Sequence, residues 1–286
     1  MKNLLLKVLQ LFCYFYPIEY GRYTILTKFY FPYFVPIKNN IRIKKIKNKI
    51  LMELDINEYL QAYLFLFEKY ESKTLKFYKK YIKKGDIILD VGANIGYFSL
   101  IFSKLTGSKG RVYAFEPETN NFSKLQNNIL LNKSNNIYIF KVACSNVEEK
   151  LKLYLSESCN KGTHSLIKKE YLDSQKYEIV KTIKLDDFIL SNNINKINLV
   201  KIDVEGAELE VIKGLHNILI NSCPILIVEV VSSILAKRNL TAKEFCLYLF
   251  NNYNYYPFII NSNGNLKKLN IDNIEEISDN IVFKKI

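Results

Sequence analysis

Residues 87–96, IILDVGANIG, join a run of β-forming apolar residues to a loop that contains two glycines. The run 87–92 predicts a strand, and the stretch 99–107, SLIFSKLTG, predicts a helix that ends at Gly107. Ligands of open α/β sheets bind at the carboxyl ends of the strands. We therefore expect the loop between this strand and this helix to line a ligand crevice.

The same alternation continues along the chain. Further strands are predicted at 111–117, 136–143, 198–203 and 224–231, with helices at 119–132 and 208–221. Two extended segments, KLKLYL and EIVKTIKL, interrupt the alternation, and YYPFII and NIVFKKI close the chain as a predicted antiparallel hairpin at the sheet edge. Repeated strand-helix-strand units indicate a parallel sheet that is covered on both faces. The predicted fold is α/β and doubly wound, with a Rossmann-like, mostly parallel seven-stranded sheet.

Residues 1–50 differ from the rest of the chain and are interpreted as an accessory helical and aromatic segment, followed by a main domain at 51–286 with its core from about 75. The segment has three prolines and ends in the basic run IRIKKIKNK. Its first apolar stretch is too short and too interrupted to span a membrane. The apolar residues of that stretch share one helical face, which favours packing on the core and leaves peripheral contact with the inner membrane face as an alternative.

Composition restricts the class of protein. An apolar fraction of 49% with 24% charged residues is typical of a folded globular chain. The net charge of +13 raises the question of nucleic-acid binding, but the Lys, Asn, Ile and Tyr bias resembles AT-rich codon usage, and arginine is scarce. Five scattered cysteines without a CxxC pair suit a reducing cytoplasm, and with only two histidines they predict no metal site.

The loop after the first strand of this sheet suggests the kind of ligand. A dinucleotide fingerprint would place glycines at 92, 94 and 97, whereas this chain has Gly92, Asn94 and Tyr97, with Gly96 one position earlier. Gly92 permits a tight turn and the close approach of a ligand to the backbone, and Gly96 lets the next helix pack near the strand. We predict that Gly92, Asn94 and Gly96 contribute to the cofactor site. Asp90 would repel a pyrophosphate and would suit a cationic group, such as the ammonium and sulfonium of S-adenosylmethionine. Glu116, at the end of the second strand, is placed to accept hydrogen bonds from both hydroxyls of a ribose.

Three stretches resemble the FkbM family of class I methyltransferases: GDIILDVGANIGYFSL, VYAFEPETNNFSKLQNNI and, most specifically, LVKIDVEGAELEVIKG. The resemblance covers roughly residues 54–231. It implies methyl transfer from S-adenosylmethionine, commonly to hydroxyl oxygens of sugars in glycans, glycolipids or secondary metabolites. It therefore also implies a methyltransferase domain at 51–286 and a small-molecule or glycan acceptor.

The loop after the predicted strand 198–203 carries the candidate catalytic groups. An alcohol acceptor benefits from a carboxylate that takes its proton, and we predict Glu205 as this base and Asp203 as a cofactor ligand or orienting group. His164 is a candidate second base. Glu208 and Glu210 open the next helix and are interpreted as capping residues. Glu229, a charge within an apolar strand, could border the acceptor pocket, and the family resemblance alone adds Glu71.

Two other functions remain open. A nucleic-acid methyltransferase would fit the positive charge, but a base-flipping enzyme of this kind is expected to carry an Asn/Asp-Pro-Pro-aromatic loop where this chain has Asp203-Val204-Glu205-Gly206. A non-catalytic cofactor-binding scaffold in a glycan-synthesis complex would not need Asp203 and Glu205. Substituting both carboxylates distinguishes the scaffold from the enzyme.

Overall fold

A computed structural model describes residues 2–16, 21–47, 49–155 and 176–286 of the chain. Its centre is an eight-stranded sheet. The described ranges contain thirteen strands in all, some of which belong to smaller sheets. They are β1 Ile41–Ile46, β2 Ile50–Asp55, β3 Ile87–Val91, β4 Arg111–Phe115, β5 Ile137–Phe140, β6 Ala143–Cys144, β7 Lys150–Tyr154, β8 Tyr177–Ile183, β9 Leu199–Ile202, β10 Ile225–Val231, β11 Tyr256–Ile260, β12 Leu266–Lys268 and β13 Ser278–Lys284. The large sheet has the order β12-β11-β13-β10-β9-β3-β4-β5.

Twelve α-helices surround the strands in the described ranges. They are α1 Lys2–Phe15, α2 Gly21–Thr24, α3 Phe31–Phe34, α4 Tyr59–Phe67, α5 Ser72–Tyr81, α6 Tyr97–Thr106, α7 Thr119–Asn132, α8 Leu185–Ser191, α9 Glu208–Lys213, α10 His216–Asn221, α11 Ser232–Leu235 and α12 Ala242–Tyr253. A π-helical segment covers Ile25–Tyr30, and 3-10 turns cover Ala236–Arg238 and Ile271–Asn273.

The doubly wound α/β prediction is confirmed. Strands β10, β9, β3, β4 and β5 run parallel to their neighbours in this order. One apolar core lies between the sheet and α4, α5 and α6, and another lies between the sheet and helices that include α9, α10 and α12. The interrupting segments KLKLYL and EIVKTIKL form β7 and β8, an antiparallel pair outside the large sheet.

The predicted antiparallel pairing of the two closing segments is confirmed, since β11 and β13 pair in this way, but the strand count and the position of the last strand differ from the prediction. β13 lies between β10 and β11 and is antiparallel to both, and the short β12 adds an eighth strand at the edge. Ile281, Val282 and Phe283 of β13 are fully buried. Since an edge strand leaves one side open, three consecutive buried apolar residues suit an interior position.

The helix predicted over 208–221 is interrupted at Gly214. A Cβ atom at this position would lie 2.2 Å from the backbone oxygen of Ser145, so the chain passes too close to a neighbouring segment for a side chain. The second helix, α10, has its own cap, because the Asp186 carboxylate accepts from the backbone N–H groups of Asn217 and Ile218 at 2.8 and 3.0 Å. Two short helices therefore replace the single predicted one.

The amino-terminal segment packs on the main domain, but the favoured core packing of its predicted apolar face was wrong, because the residues of that face are exposed: Leu4, Leu5, Val8, Leu11, Phe12 and Phe15. Leu6, Cys13 and Tyr30 are buried in the same core as α4. The antiparallel hairpin of β1 and β2 spans the boundary predicted at residue 50. Strand β2 lies beside α7, where the Asn128 side chain accepts a hydrogen bond from the backbone N–H of Glu53 at 2.7 Å. Within the described ranges, no helix combines the length and apolar character needed to cross a bilayer.

Candidate active site

An open cavity with a volume of about 170 Å³ lies at the carboxyl ends of β3, β4 and β9. Parallel strands present their carboxyl ends at one edge of a sheet, so the loops after these three strands meet there. The cavity wall includes Gly92 and Asn94 from the first loop, Glu116 from the second, and Asp203 and Glu205 from the third. The structure thus brings together most of the predicted site residues.

Gly92 and Gly96 set the path of the first loop. Gly92 has a φ of +79°, and a Cβ atom there would lie 1.8 Å from the backbone oxygen of Asp203. Gly96 has a φ of +87°, and its Cβ atom would lie 2.5 Å from the Leu125 side chain on α7. Both glycines are therefore required by protein contacts, in addition to the close ligand approach predicted for Gly92.

Glu116 is buried at the cavity wall, and its carboxylate is positioned by backbone donors. The N–H groups of Asn94 and Glu118 donate to its two oxygens at 2.8 and 2.9 Å. Burial raises the pKa of Glu116 to about 7, although these two donors act in the opposite direction. Each oxygen retains a second lone pair, so the ionised carboxylate could still accept from two ligand hydroxyls.

Asp90 does not line the cavity. Its side chain is fully buried, accepts a hydrogen bond from Ser99 Oγ, and lies 3.9 Å from Lys201 Nζ. Burial raises the pKa of Asp90, and Lys201 opposes the shift. The predicted contact of Asp90 with a cationic ligand stays a prediction, and in this geometry any influence on a ligand would act through Lys201 and the adjoining loop.

Lys201 is the buried cation of the site. Its Nζ lies 3.0 Å from Asp203 Oδ2 and 5.4 Å from the centre of the Phe98 ring. Burial lowers the pKa of Lys201, but the carboxylates of Asp203 and Asp90 raise it by more, so the net pKa lies above the ordinary value. The ammonium is therefore charged and links β3, through Asp90, to the loop after β9, through Asp203.

Three carboxylates converge on one side of the cavity. Asp203, Glu205 and Glu229 each place an oxygen within 4.8 Å of the others, and all three are partly exposed. The Asp203 carboxylate, followed by burial and Glu205, raises the pKa of Glu229 well above its ordinary value. Two anions at this distance repel each other, which favours the protonated form of Glu229. The prediction that Glu229 borders the pocket agrees with its place in the cavity wall.

The same trio is the group among the described residues whose spacing could hold a metal ion. Carboxylate oxygens suit a hard cation such as Mg²⁺. Lys201 already places an ammonium 3.0 Å from Asp203 and supplies positive charge at this position. The prediction of a site without metal stays a prediction.

Three further acidic residues lie near the loop after β9 or are coupled to it by charge. The predicted capping roles of Glu208 and Glu210 were wrong, because α9 has no side-chain cap in the described part of the chain and the Glu208 carboxylate instead accepts from the backbone of Gly206, in the loop before the helix, at 3.0 Å. Glu210 pairs with Arg238. Glu71 lies outside the cavity wall and accepts from Asn280 at 2.8 Å, and burial followed by Asp203 raises its pKa to about 7. Glu71 therefore acts on the site through charge.

The structure adds wall residues that the sequence did not indicate, and one predicted residue lies outside its described part. Tyr59 and Tyr70 form an aromatic wall, and Asn121 joins Glu116 on the cofactor side. The two tyrosines precede the main fold in sequence, so no local motif connected them with the loops. His164 lies outside the described residues. His216 lies away from the cavity and contacts the Tyr253 hydroxyl at 3.1 Å.

A family model described as a methyltransferase FkbM domain matches residues 90–256. The hexuronic acid methyltransferase AglP of Haloferax volcanii is 32% identical over 148 residues, covering 52% of this chain and 57% of the relative. The 31-O-demethyl-FK506 methyltransferase FkbM of Streptomyces tacrolimicus is 26% identical over 161 residues, covering 48% of this chain and 62% of the relative. The matches thus span less than two thirds of either relative.

A crystal structure of a methyltransferase FkbM from Methylobacillus flagellatus also resembles the chain. The alignment has a TM-score of 0.49 and 16% identity, and it covers 76% of this chain and 48% of the other.

Proposed function

The chain belongs to the methyltransferase FkbM family, and on this premise we propose that it methylates a hydroxyl oxygen of a sugar or a related secondary metabolite. The observation that carries the proposal is the convergence of Asp203, Glu205 and Glu229 on one side of the cavity. A carboxylate placed there can take the proton of an alcohol acceptor. The names of the two relatives support the acceptor class, since one refers to a hexuronic acid and the other to an O-demethyl compound.

S-adenosylmethionine is the cofactor, and when bound it supplies a methyl carbon attached to a sulfonium sulfur. The residues of the cavity fit this group. Glu116 offers carboxylate oxygens for the ribose hydroxyls, and the side chains of Val142 and Cys144 offer an apolar surface for the adenine ring. Asp203 and the Gly92 loop are the groups proposed to hold the charged amino-acid end.

The acceptor side of the cavity is built to remove a proton. We assign Glu205 as the base because it lines the cavity beside Asp203, and Asp203 as the orienting group because it pairs with Lys201. Glu229 lies within 4.8 Å of both of these carboxylates, and the charge of Asp203 raises the pKa of Glu229. Among the described residues that line the cavity, carboxylates outnumber the one lysine, Lys201, and this favours a neutral acceptor over a uronate because carboxylates in one cavity repel each other. The cytoplasmic location stays a prediction.

We expect purified protein to bind S-adenosylmethionine, and not NAD, in calorimetric titrations. Glu116→Gln should weaken the binding by about tenfold or more, because an amide cannot accept at both side-chain atoms. Glu275→Gln, an exposed acid outside the cavity, is the matched control. Binding of NAD alone, or equal affinity in the wild type and Glu116→Gln, would contradict the assigned cofactor side.

The same titrations should depend on pH. Because the pKa of Glu116 is raised to about 7, the ionised carboxylate that accepts ligand hydroxyls becomes populated as pH rises. The affinity of the wild type is expected to increase several-fold from about pH 6 to about pH 7.5. The ligand's own amino group titrates near this range, so the comparison uses the ratio of wild type to Glu116→Gln. A ratio that does not change with pH would contradict the raised pKa.

Glu205→Gln should slow methyl transfer by about a hundredfold at unchanged cofactor affinity, because the loss of a general base acts on the chemical step. The assay follows labelled methyl groups from S-adenosylmethionine into a panel of neutral sugars and uronates. Glu275→Gln is again the control. Equal turnover in Glu205→Gln and the wild type would contradict the assignment of the base, and a uronate as the preferred acceptor would contradict the charge argument.

A further inference from the structure

Helix α1 has two apolar faces, and only one of them is covered by the protein. On the covered face, Leu6 and Cys13 are buried against the main domain, and the Gln10 side chain donates to the backbone oxygen of Phe65 at 3.2 Å. These contacts fix the orientation of α1 on α4. The opposite face is therefore presented by a helix held in place.

The opposite face is a continuous apolar stripe. Its members follow helical spacing and point to solvent: Leu4, Leu5, Val8, Leu11, Phe12 and Phe15. Their exposed fractions run from 52% at Leu5 to 72% at Phe15. Single exposed apolar residues are common, but a contiguous stripe of large ones marks an interaction surface. We call these six side chains the α1 stripe.

Much of the positive charge of the chain lies in the amino-terminal segment that carries this stripe. Residues 1–50 contain ten Lys and Arg residues and one Glu, while the whole chain carries +13. Lys7, Lys28, Lys38 and Lys45 are exposed, and Lys47 Nζ lies 4.6 Å from the centre of the Tyr14 ring on α1. The basic hairpin end and the apolar helix are thus neighbours in space.

We infer that α1 and the basic residues around it form a docking surface for a bilayer leaflet that contains anionic lipids. The α1 stripe would enter the boundary between headgroups and acyl chains, and the lysines would contact the negative headgroups. Charge decides between this partner and a second copy of the chain, because two such faces carry the same sign and repel each other. A nucleic acid would match the charge but would leave the apolar stripe in water.

The amino-terminal segment that carries the docking surface also contacts the cavity wall. Tyr59, a residue of the cavity wall, stacks on Phe31 with ring centres 6.0 Å apart and an angle of 6°. Tyr23 is exposed in the same amino-terminal segment, and its ring centre lies 6.3 Å from that of Tyr59. Docking would bring this side of the cavity near the membrane, where an acceptor attached to lipid could be reached. This corollary rests on the proposed function, whereas the docking itself does not.

Sedimentation with vesicles of phosphatidylcholine, with and without 30 mol% phosphatidylglycerol (roughly the anionic content needed to attract basic residues), tests the inference on the full chain. The wild type is expected to sediment with the anionic vesicles and to be released by salt. The triple variant Leu11→Ser, Phe12→Ser, Phe15→Ser should lose about tenfold or more in partitioning, and Lys45→Glu should lose less. Leu190→Ser, a 79% exposed apolar residue on α8, is the matched control and should sediment like the wild type.

Folding and self-association are checked on the same samples. Calorimetric binding of S-adenosylmethionine and the thermal midpoint verify that the triple variant is folded, and Phe15→Ser alone is the fallback if it is not. Two results would overturn the inference: stripe variants that sediment as well as the wild type, or a wild type that does not sediment with anionic vesicles. So would a wild-type dimer in light scattering that becomes a monomer in the triple variant, because the stripe would then bind a second copy.

Discussion

Gly92→Ala is expected to lower the free energy of unfolding by more than about 4 kcal/mol and to abolish detectable binding of S-adenosylmethionine. The alanine Cβ would lie 1.8 Å from the backbone oxygen of Asp203, and the φ of +79° is itself unfavourable for a residue with a side chain. A backbone oxygen cannot rotate away as a side chain would. The loops after β3 and β9 must therefore move apart, which displaces the residues of both loops that line the cavity.

Gly85 offers the matched control for this substitution. Its φ of +88° is similar to that of Gly92, but a Cβ atom there would have no atom within 4 Å. Gly85→Ala should thus lose only the backbone contribution of about 1–2 kcal/mol and should retain cofactor binding. Urea denaturation and calorimetry on both variants separate the two effects. Equal losses in the two variants would show that backbone conformation, and not the contact with Asp203, makes Gly92 necessary.

Lys201→Met is expected to destabilise the protein by about 3–5 kcal/mol, because it removes the cation beside the fully buried Asp90. The double variant Lys201→Met, Asp90→Asn should recover part of this loss, since the uncompensated buried charge is then gone. Lys73→Met is the control, because the Lys73–Asp279 pair is partly exposed and should contribute no more than about 1 kcal/mol.

Denaturant unfolding of the three variants decides the role of Lys201. A loss in Lys201→Met no larger than that in Lys73→Met would contradict a buried pair that matters for folding. No recovery in the double variant would show that Asp90 is not the group left without a partner. In either case the pair of Lys201 and Asp90 would not be what makes Lys201 important for folding.

Local patterns predicted the layered fold because strand and helix periodicities reflect which side of each element is buried. The strand at 87–91, the helix at 119–132 and the loop after 199–202 lie where periodicity indicated. The order of the last strands was not predictable in this way, because pairing depends on free energy summed over the whole sheet. β13 lies between β10 and β11 although it follows both in the chain.

The residue types of the site were also visible in the sequence, but the orientation of their side chains was not. Asp90 precedes a ligand loop, yet its carboxylate is turned under the loop toward Ser99 and Lys201. Gly214 looked like an ordinary helix residue, and only the approach of the Ser145 backbone shows why the helix ends there. Motif spacing locates a turn along the chain, whereas tertiary contacts decide which face a side chain takes.

By itself, the sequence determined the doubly wound architecture, the family and the three loops that form the cavity, since each is written in contiguous residues with their own periodicity. Only the tertiary structure brought Glu229 to Asp203 and Glu205, and it placed Tyr59 in the cavity wall. It also showed that one apolar face of α1 is buried against the main domain and that the other is exposed to solvent. The physical reason is that burial and charge coupling arise between residues far apart in the chain, where no local pattern records them.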